Sequence, residues 1–145
     1  MTDQPTTVVV LPELTDGNRH FWQGGRTGQL VLLRCQDCGY YLHPPIPVCP
    51  RDGSKNLAPE AVSGRATVAT YSVNYHPWIP GLELPYVVAL VEIVEQPELR
   101  LTTNLVGCAL DEIRIGMAVR VVFRQIEDSR GDVWLPLFEP DRDAQ

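Results

Sequence analysis

One lysine, Lys55, is all the ammonium that this chain of 145 residues carries, and its arginines are scattered while the formal net charge is −6. A nucleic-acid surface usually needs a basic face that releases counterions from phosphate, so a general nucleic-acid binder is disfavoured on charge. A local arginine group still suffices for the few phosphates of a nucleotide-like ligand. No apolar run approaches the ~20 residues of a membrane span. Met1 to Thr7 is polar and lacks the basic-then-apolar layout of an export signal, so a soluble, cytoplasmic protein is expected. Catalytic patterns are also scarce. His20, His43 and His76 are the three histidines, and none has a spacing to Ser, Cys or carboxylate that marks a triad, although such groups can converge in space. No phosphate loop or dinucleotide glycine fingerprint occurs. Catalytic residues are therefore not assigned.

What is present is enough apolar material, 44% of residues, to bury the core of one ordinary domain or of two very small ones. Two cysteine knuckles carry the strongest local signal. Cys35-Gln36-Asp37-Cys38-Gly39 is answered by Cys49-Pro50-Arg51-Asp52-Gly53, the register of a zinc ribbon with Asp52 where a fourth cysteine is expected. A glycine after each knuckle supplies the positive φ that turns backbone amides toward a thiolate. The pattern reads as a structural Zn²⁺ site with ligands Cys35, Cys38, Cys49 and Asp52, an S₃O set that holds zinc less tightly than S₄. His43 and Cys108 are alternative fourth ligands outside the knuckle register. Disulfides are disfavoured by the absence of an export signal, and rubredoxin-type iron chemistry by the loss of one thiolate. On this reading the metal staples a small subdomain lacking a core of its own, and Cys108 is a buried small hydrophobe rather than a nucleophile.

Along the chain, Leu14 to Gln23 predicts a short helix with Thr15 or Asp16 as N-cap, ending at Gly24-Gly25. Its Phe21 and Trp22 must pack on the body of this protein or on another chain. A strand over Gln29 to Arg34 enters the first knuckle, and Pro44-Pro45-Ile46-Pro47 excludes helix and regular sheet before the second. Five further strands are predicted: Arg65–Val73, Tyr86–Glu95, Leu99–Val106, Met117–Glu127 and Val133–Phe138. The apolar run Tyr86 to Val91 predicts a strand buried on both faces. Five strands with one short connection, Asp111 to Gly116, match a small closed barrel of the OB type. The fold class is thus mainly β: an N-terminal helical segment over 1–28, a zinc ribbon over 29–60, an OB-fold over 61–140 and a loose tail over 141–145.

The connection Asn74 to Pro85 joins two strands, yet carries Tyr75, Trp78, Ile79, Leu82 and Leu84 beside His76. Prolines lower its entropy of ordering, which suits a binding surface. Tyr75, His76, Trp78 and Ile79 join Phe21 and Trp22 as candidate partner or ligand contacts. The alternative is that the loop folds back to cap the barrel.

The run Phe21-Trp22, Cys35-x-x-Cys38, Pro44-Pro45, Cys49-Pro50 resembles the N-terminal half of a known family. Ser63-Gly64-Arg65-Ala66-Thr67-Val68, Pro85 to Val91, Thr103 to Cys108, Ile115-Gly116-Met117 and Leu135 to Phe138 resemble its C-terminal half. It is the family of small proteins in which a rubredoxin-like zinc ribbon is joined to an acyl-CoA-associated OB-fold, long catalogued as a domain of unknown function. The resemblance covers roughly Leu14 to Pro140, and Asp52 departs from the family's fourth cysteine.

What the resemblance implies is a non-catalytic subunit of an acyl-CoA-processing complex. It would stabilise a thiolase-fold, lipid-transfer-protein-like aldolase that cleaves a steroid side-chain acyl-CoA by retro-aldol chemistry, and help form the CoA or acyl site. It also implies alternatives: a subunit of a thiolase or MaoC-like hydratase complex, or a free-standing acyl-CoA or lipid carrier. A single-stranded nucleic-acid module, another use of OB-folds, has aromatics to offer but the wrong charge.

Overall fold

The computed structural model describes residues 10–144, so the polar stretch Met1–Thr7 lies outside the described residues. A short helix α1, Arg19–Gln23, leads through a 3₁₀ turn at Gly24–Thr27 into strands β1 Leu30–Cys35 and β2 Tyr41–Leu42. Strand β3, Leu57–Val62, completes an antiparallel sheet ordered β2-β1-β3. Strands β4 Arg65–Asn74, β5 Tyr86–Ile93, β6 Arg100–Leu105, β7 Ala118–Ile126 and β8 Val133–Pro140 then form a closed barrel in the order β4-β5-β6-β8-β7. The fold is mainly β, with one short helix, a ribbon and a five-stranded OB-like barrel, as expected. None of the described helices is long and apolar enough to cross a membrane.

Two expectations need correction, and one strand was not anticipated. The helix starts at Arg19, not near Thr15, because Asn18 Oδ1 accepts from Thr15 N–H at 2.8 Å and ties residues 15–18 into a turn. β5 is not buried on both faces: its residues alternate, Val87, Ala89, Val91 and Ile93 facing inward while Val88 is 37% exposed. β3 is a strand that the sequence reading did not assign. It exists because it lies at the sheet edge, where Pro59 opposite Leu33 has no further strand to which it must donate. Beyond Pro140 the chain is still tied down. Asp141 N–H donates to Ala118 O at 3.0 Å, and Arg142 Nη1 to Glu112 Oε2 at 3.1 Å.

One apolar core runs through both parts. Leu30 and Leu32 of β1, Tyr41 of β2 and Phe21 of α1 join Val68, Val91, Val119 and Phe138 of the barrel in a single cluster. Phe21, at 4% exposure, therefore packs on the body of the protein, and Trp22 packs partly against the same cluster. The far side of the ribbon has only a small cluster, built on Cys35, Leu42 and Cys49. That end depends on the cysteines for its interior. At the junction with the barrel, Gly64 (φ +81°) leaves room for the Val121 side chain, which a Cβ would meet at 2.5 Å, while its carbonyl accepts from Val121 N–H at 2.8 Å.

Candidate metal centre and contact surfaces

The two knuckles superimpose in their bonding. Cys35 N–H donates to Tyr40 O and Cys49 N–H to Ser54 O, each at 2.8 Å. Gly39 N–H returns to Cys35 O and Gly53 N–H to Cys49 O, each at 2.9 Å, with φ of +80° and +73° at the two glycines. Asp52 thus occupies in the second knuckle the place Cys38 has in the first. One ligand atom from each of Cys35, Cys38, Cys49 and Asp52 lies within 4.8 Å of all the others. Cys38 Sγ is 3.6 Å from Cys49 Sγ, and Cys35 Sγ is 3.7 Å from both Asp52 oxygens. With metal–sulfur bonds of about 2.3 Å, the edges of a tetrahedral zinc site come to roughly 3.5–3.8 Å. The spacing fits.

The charges argue the same way. Dehydration opposes the Cys35 thiolate, but the N–H groups of Cys38 and Asp37 and the neighbouring thiols outweigh it, so its pKa is lowered. Tyr40 N–H favours the Cys38 thiolate, yet dehydration, the Cys35 and Cys49 thiols and the Asp52 carboxylate push Cys38 up to about 11. Asp52 is lowered, first by the Ser54 N–H, which its Oδ1 accepts at 3.0 Å. All four would have to be deprotonated to ligate, a state that a cation among them would favour. The knuckles are linked to each other: Ser54 Oγ donates to Asp37 Oδ2 at 2.5 Å and Gln36 N–H to Asn56 O at 2.8 Å. Arg34 donates Nε to Gly39 O at 2.9 Å, lies over the Tyr41 ring and pairs with Glu60 at 3.0 Å.

Neither alternative fourth ligand joins the cluster. His43 stacks on Phe21 with ring centroids 4.7 Å apart, and Cys108 packs against the barrel core. All four cysteines are free thiols. Burial, and then His20 nearby, pushes His43 down to about 4; burial also lowers His20, whose Nε2 is buried with no partner among the described residues. This histidine pair sits where α1 meets the ribbon, and nothing in its sequence spacing marks it.

The loop between β4 and β5 does not cap the barrel. Tyr75 and Trp78 are each 68% exposed. Trp78 is braced within the loop instead, with Nε1 donating to Asn74 Oδ1 at 2.7 Å and its ring 4.3 Å from that of His76. Separately, a cavity of about 590 Å³ opens between α1, Pro44-Pro45 and strands β6 and β8; Phe21 and Trp22 line it.

A cysteine-knuckle ribbon stapled by a candidate metal centre and fused to an OB barrel defines a class of two-part proteins. Residues 22–58 match the family model "ChsH2, rubredoxin-like zinc ribbon domain", and residues 59–124 match "ChsH2, C-terminal OB-fold domain". The chain is 35% identical to a DUF35 domain-containing scaffold protein of Methanocaldococcus jannaschii over 71% of this chain and 73% of that one. It is 37% identical to the "Probable enoyl-CoA hydratase alpha subunit" of Thermomonospora curvata (94% of this chain, 41% of the relative). It is 31% identical to the 3-oxo-4,17-pregnadiene-20-carboxyl-CoA hydratase alpha subunit of Mycobacterium tuberculosis (92% and 42%). The chain therefore spans about two fifths of those two relatives. Among solved structures, the Ltp2-ChsH2(DUF35) aldolase is similar with a TM-score of 0.74 and 40% identity over 90% of this chain and 98% of that one. The chain belongs to the DUF35 family, and within it resembles ChsH2.

Proposed function

We propose that this protein is a non-catalytic subunit of an acyl-CoA-processing complex, the partner of a thiolase-fold aldolase acting on a steroid side chain or similar acyl-CoA. The observation that carries the reading is the 40% identity across 98% of the DUF35 chain in the Ltp2-ChsH2 aldolase. The partner supplies the reacting groups, while this chain stabilises it and helps form the CoA or acyl site. Its Cys35, Cys38, Cys49 and Asp52 hold one structural Zn²⁺, and the metal supplies cross-linking rather than chemistry on substrate. The exposed Tyr75, His76, Trp78 and Ile79 form a partner contact; rigid aromatics at low ordering cost suit that use. The complex works in the cytoplasm, where cysteine ligands stay reduced.

Co-expression with thiolase-fold proteins encoded beside its gene, followed by co-purification and aldolase assay, tests this. A stable complex that cleaves an acyl-CoA thioester is expected, and failure of every such enzyme to co-purify would overturn it. A second reading, a MaoC-like hydratase complex, is favoured by the names of the two hydratase alpha subunits. It predicts co-purification with a hydratase and hydration of an enoyl-CoA instead.

A further inference from the structure

Cys38 and Cys49 mark the two ends of one segment. Between them lie β2, whose Tyr41 is bonded at both backbone groups to the Gln96 side chain, and His43, stacked on Phe21. Pro44-Pro45 follow and wall the 590 Å³ cavity. The ends of this segment meet in the ligand cluster, where Cys38 Sγ lies 3.6 Å from Cys49 Sγ. A disulfide bond is about 2.05 Å long, so each sulfur would move by less than about 1 Å to form one. The three cysteines of the cluster differ in access: Cys38 is exposed, whereas Cys35 and Cys49 are buried at 0% and 1% exposure. Cys35 Sγ is set against Asp52, 3.7 Å from both carboxylate oxygens. A carboxylate cannot enter a disulfide. With Asp52 in the fourth place, the three thiols can form one disulfide, and one thiol is left over.

We propose that Cys38 is a peroxide-sensitive site, and that its oxidation closes a Cys38–Cys49 disulfide which releases the metal and takes over its task of joining the knuckles. Peroxide reaches the exposed Cys38 thiolate first. Its sulfur attacks one peroxide oxygen, the O–O bond breaks and hydroxide leaves, giving a sulfenic acid. The Cys49 thiolate then attacks that sulfur and expels a second hydroxide. The two thiolates together lose two electrons, and one hydrogen peroxide is reduced to two hydroxides. Cys35 and Asp52 remain, half the ligand set of a tetrahedral zinc site. Because the new bond joins the same two ends, the segment carrying Tyr41, His43 and Pro44-Pro45 stays closed without metal. Reduction in the presence of Zn²⁺ returns the original site, in keeping with the transient character of disulfides in reducing compartments. The release of metal rests on the reading that Cys35, Cys38, Cys49 and Asp52 hold zinc. The choice of Cys38 and Cys49 rests on access and distance alone.

The test treats the purified, reduced protein with a small excess of hydrogen peroxide. Zinc release is followed with a chromogenic chelator, and the chain is then alkylated, digested and mapped by mass spectrometry. About one Zn²⁺ should be released per disulfide formed, with Cys38 joined to Cys49 and with Cys35 and Cys108 alkylated. A Cys35–Cys38 or Cys35–Cys49 bond, or full retention of metal after the treatment, would overturn the proposal. Cys49→Ser lacks the resolving thiol, so its Cys38 should go on to the sulfinic acid; should that variant not fold, the wild-type map still decides. Oxidised protein should melt above reduced protein stripped of metal by a chelator, and its Tyr41 amide should exchange more slowly. An oxidised protein that melts no higher would remove the role of the disulfide as a substitute for the metal. If the protein purifies without zinc, the metal reading fails, and the same map of the peroxide-treated chain still decides the pairing: a Cys38–Cys49 bond supports it and any other refutes it.

Discussion

Gln96 and Tyr41, 55 residues apart, hydrogen-bond to each other twice: Tyr41 N–H donates to Gln96 Oε1 at 2.9 Å, and Gln96 Nε2 donates to Tyr41 O at 3.1 Å. The primary amide behaves as one more strand residue on the edge of β2. Gln96 sits in the β5–β6 turn, so this pair fastens the ribbon to the barrel, and the adjacent Glu95 takes Ser63 N–H and Ser63 Oγ at the other end of the ribbon. Removing the side chain leaves two part-buried backbone groups unpaired. Gln96→Ala should cost about 1–3 kcal/mol in chemical denaturation. Gln96→Glu, which keeps the acceptor and loses the donor, should fall between wild type and Gln96→Ala.

Metal analysis of purified protein should find about one Zn²⁺ per chain. Cys35→Ser should lose it, and equal metal content in the two proteins would remove the site. Asp52→Cys should slow metal loss to a chelator, because thiolate suits zinc better than carboxylate.

Trp78→Ala should leave the melting temperature almost unchanged, since the indole is 68% exposed. It should weaken the complex by about 2 kcal/mol or more if the loop is a hot spot. A large drop in melting temperature with unaltered affinity would sink the contact role.

His43, pushed down to about 4 by burial and by His20, binds a proton more readily in the unfolded chain than in the folded one. Its contribution to stability is complete above the ordinary histidine range near 6.5 and is lost progressively as pH falls from there to about 4. His20, lowered by burial, acts in the same direction. Denaturation midpoints should therefore decline from pH 7 to pH 5, and His43→Phe should flatten that decline. An equal slope in the variant would assign it to other groups.

Gly25 is crowded rather than strained: a Cβ there would meet Trp134 Cβ at 2.4 Å and Phe123 Cδ1 at 2.7 Å. Gly25→Ala should destabilise the protein by about 1–3 kcal/mol, as overpacking does. Because the 3₁₀ turn would lift from the barrel, protease sensitivity between residues 14 and 28 should rise.

The knuckles and the barrel strands could be read in the sequence because each is a local pattern. The spacing of Cys35 to Cys38, its echo from Cys49 to Asp52, and the glycines after each need only a few residues of chain to state their geometry. Runs of β-branched and apolar residues between turn-forming residues do the same for β4 to β8. The family resemblance extended that reading to function. What only the tertiary structure decided is where distant pieces meet. Pro59 is tolerated because β3 is an edge, and Phe21 is interior because α1 lies against both β1 and β8. The His20–His43 pair and the Gln96 clamp leave no local periodicity or motif. They arise from the path of the chain, which brings together groups that share no sequence window.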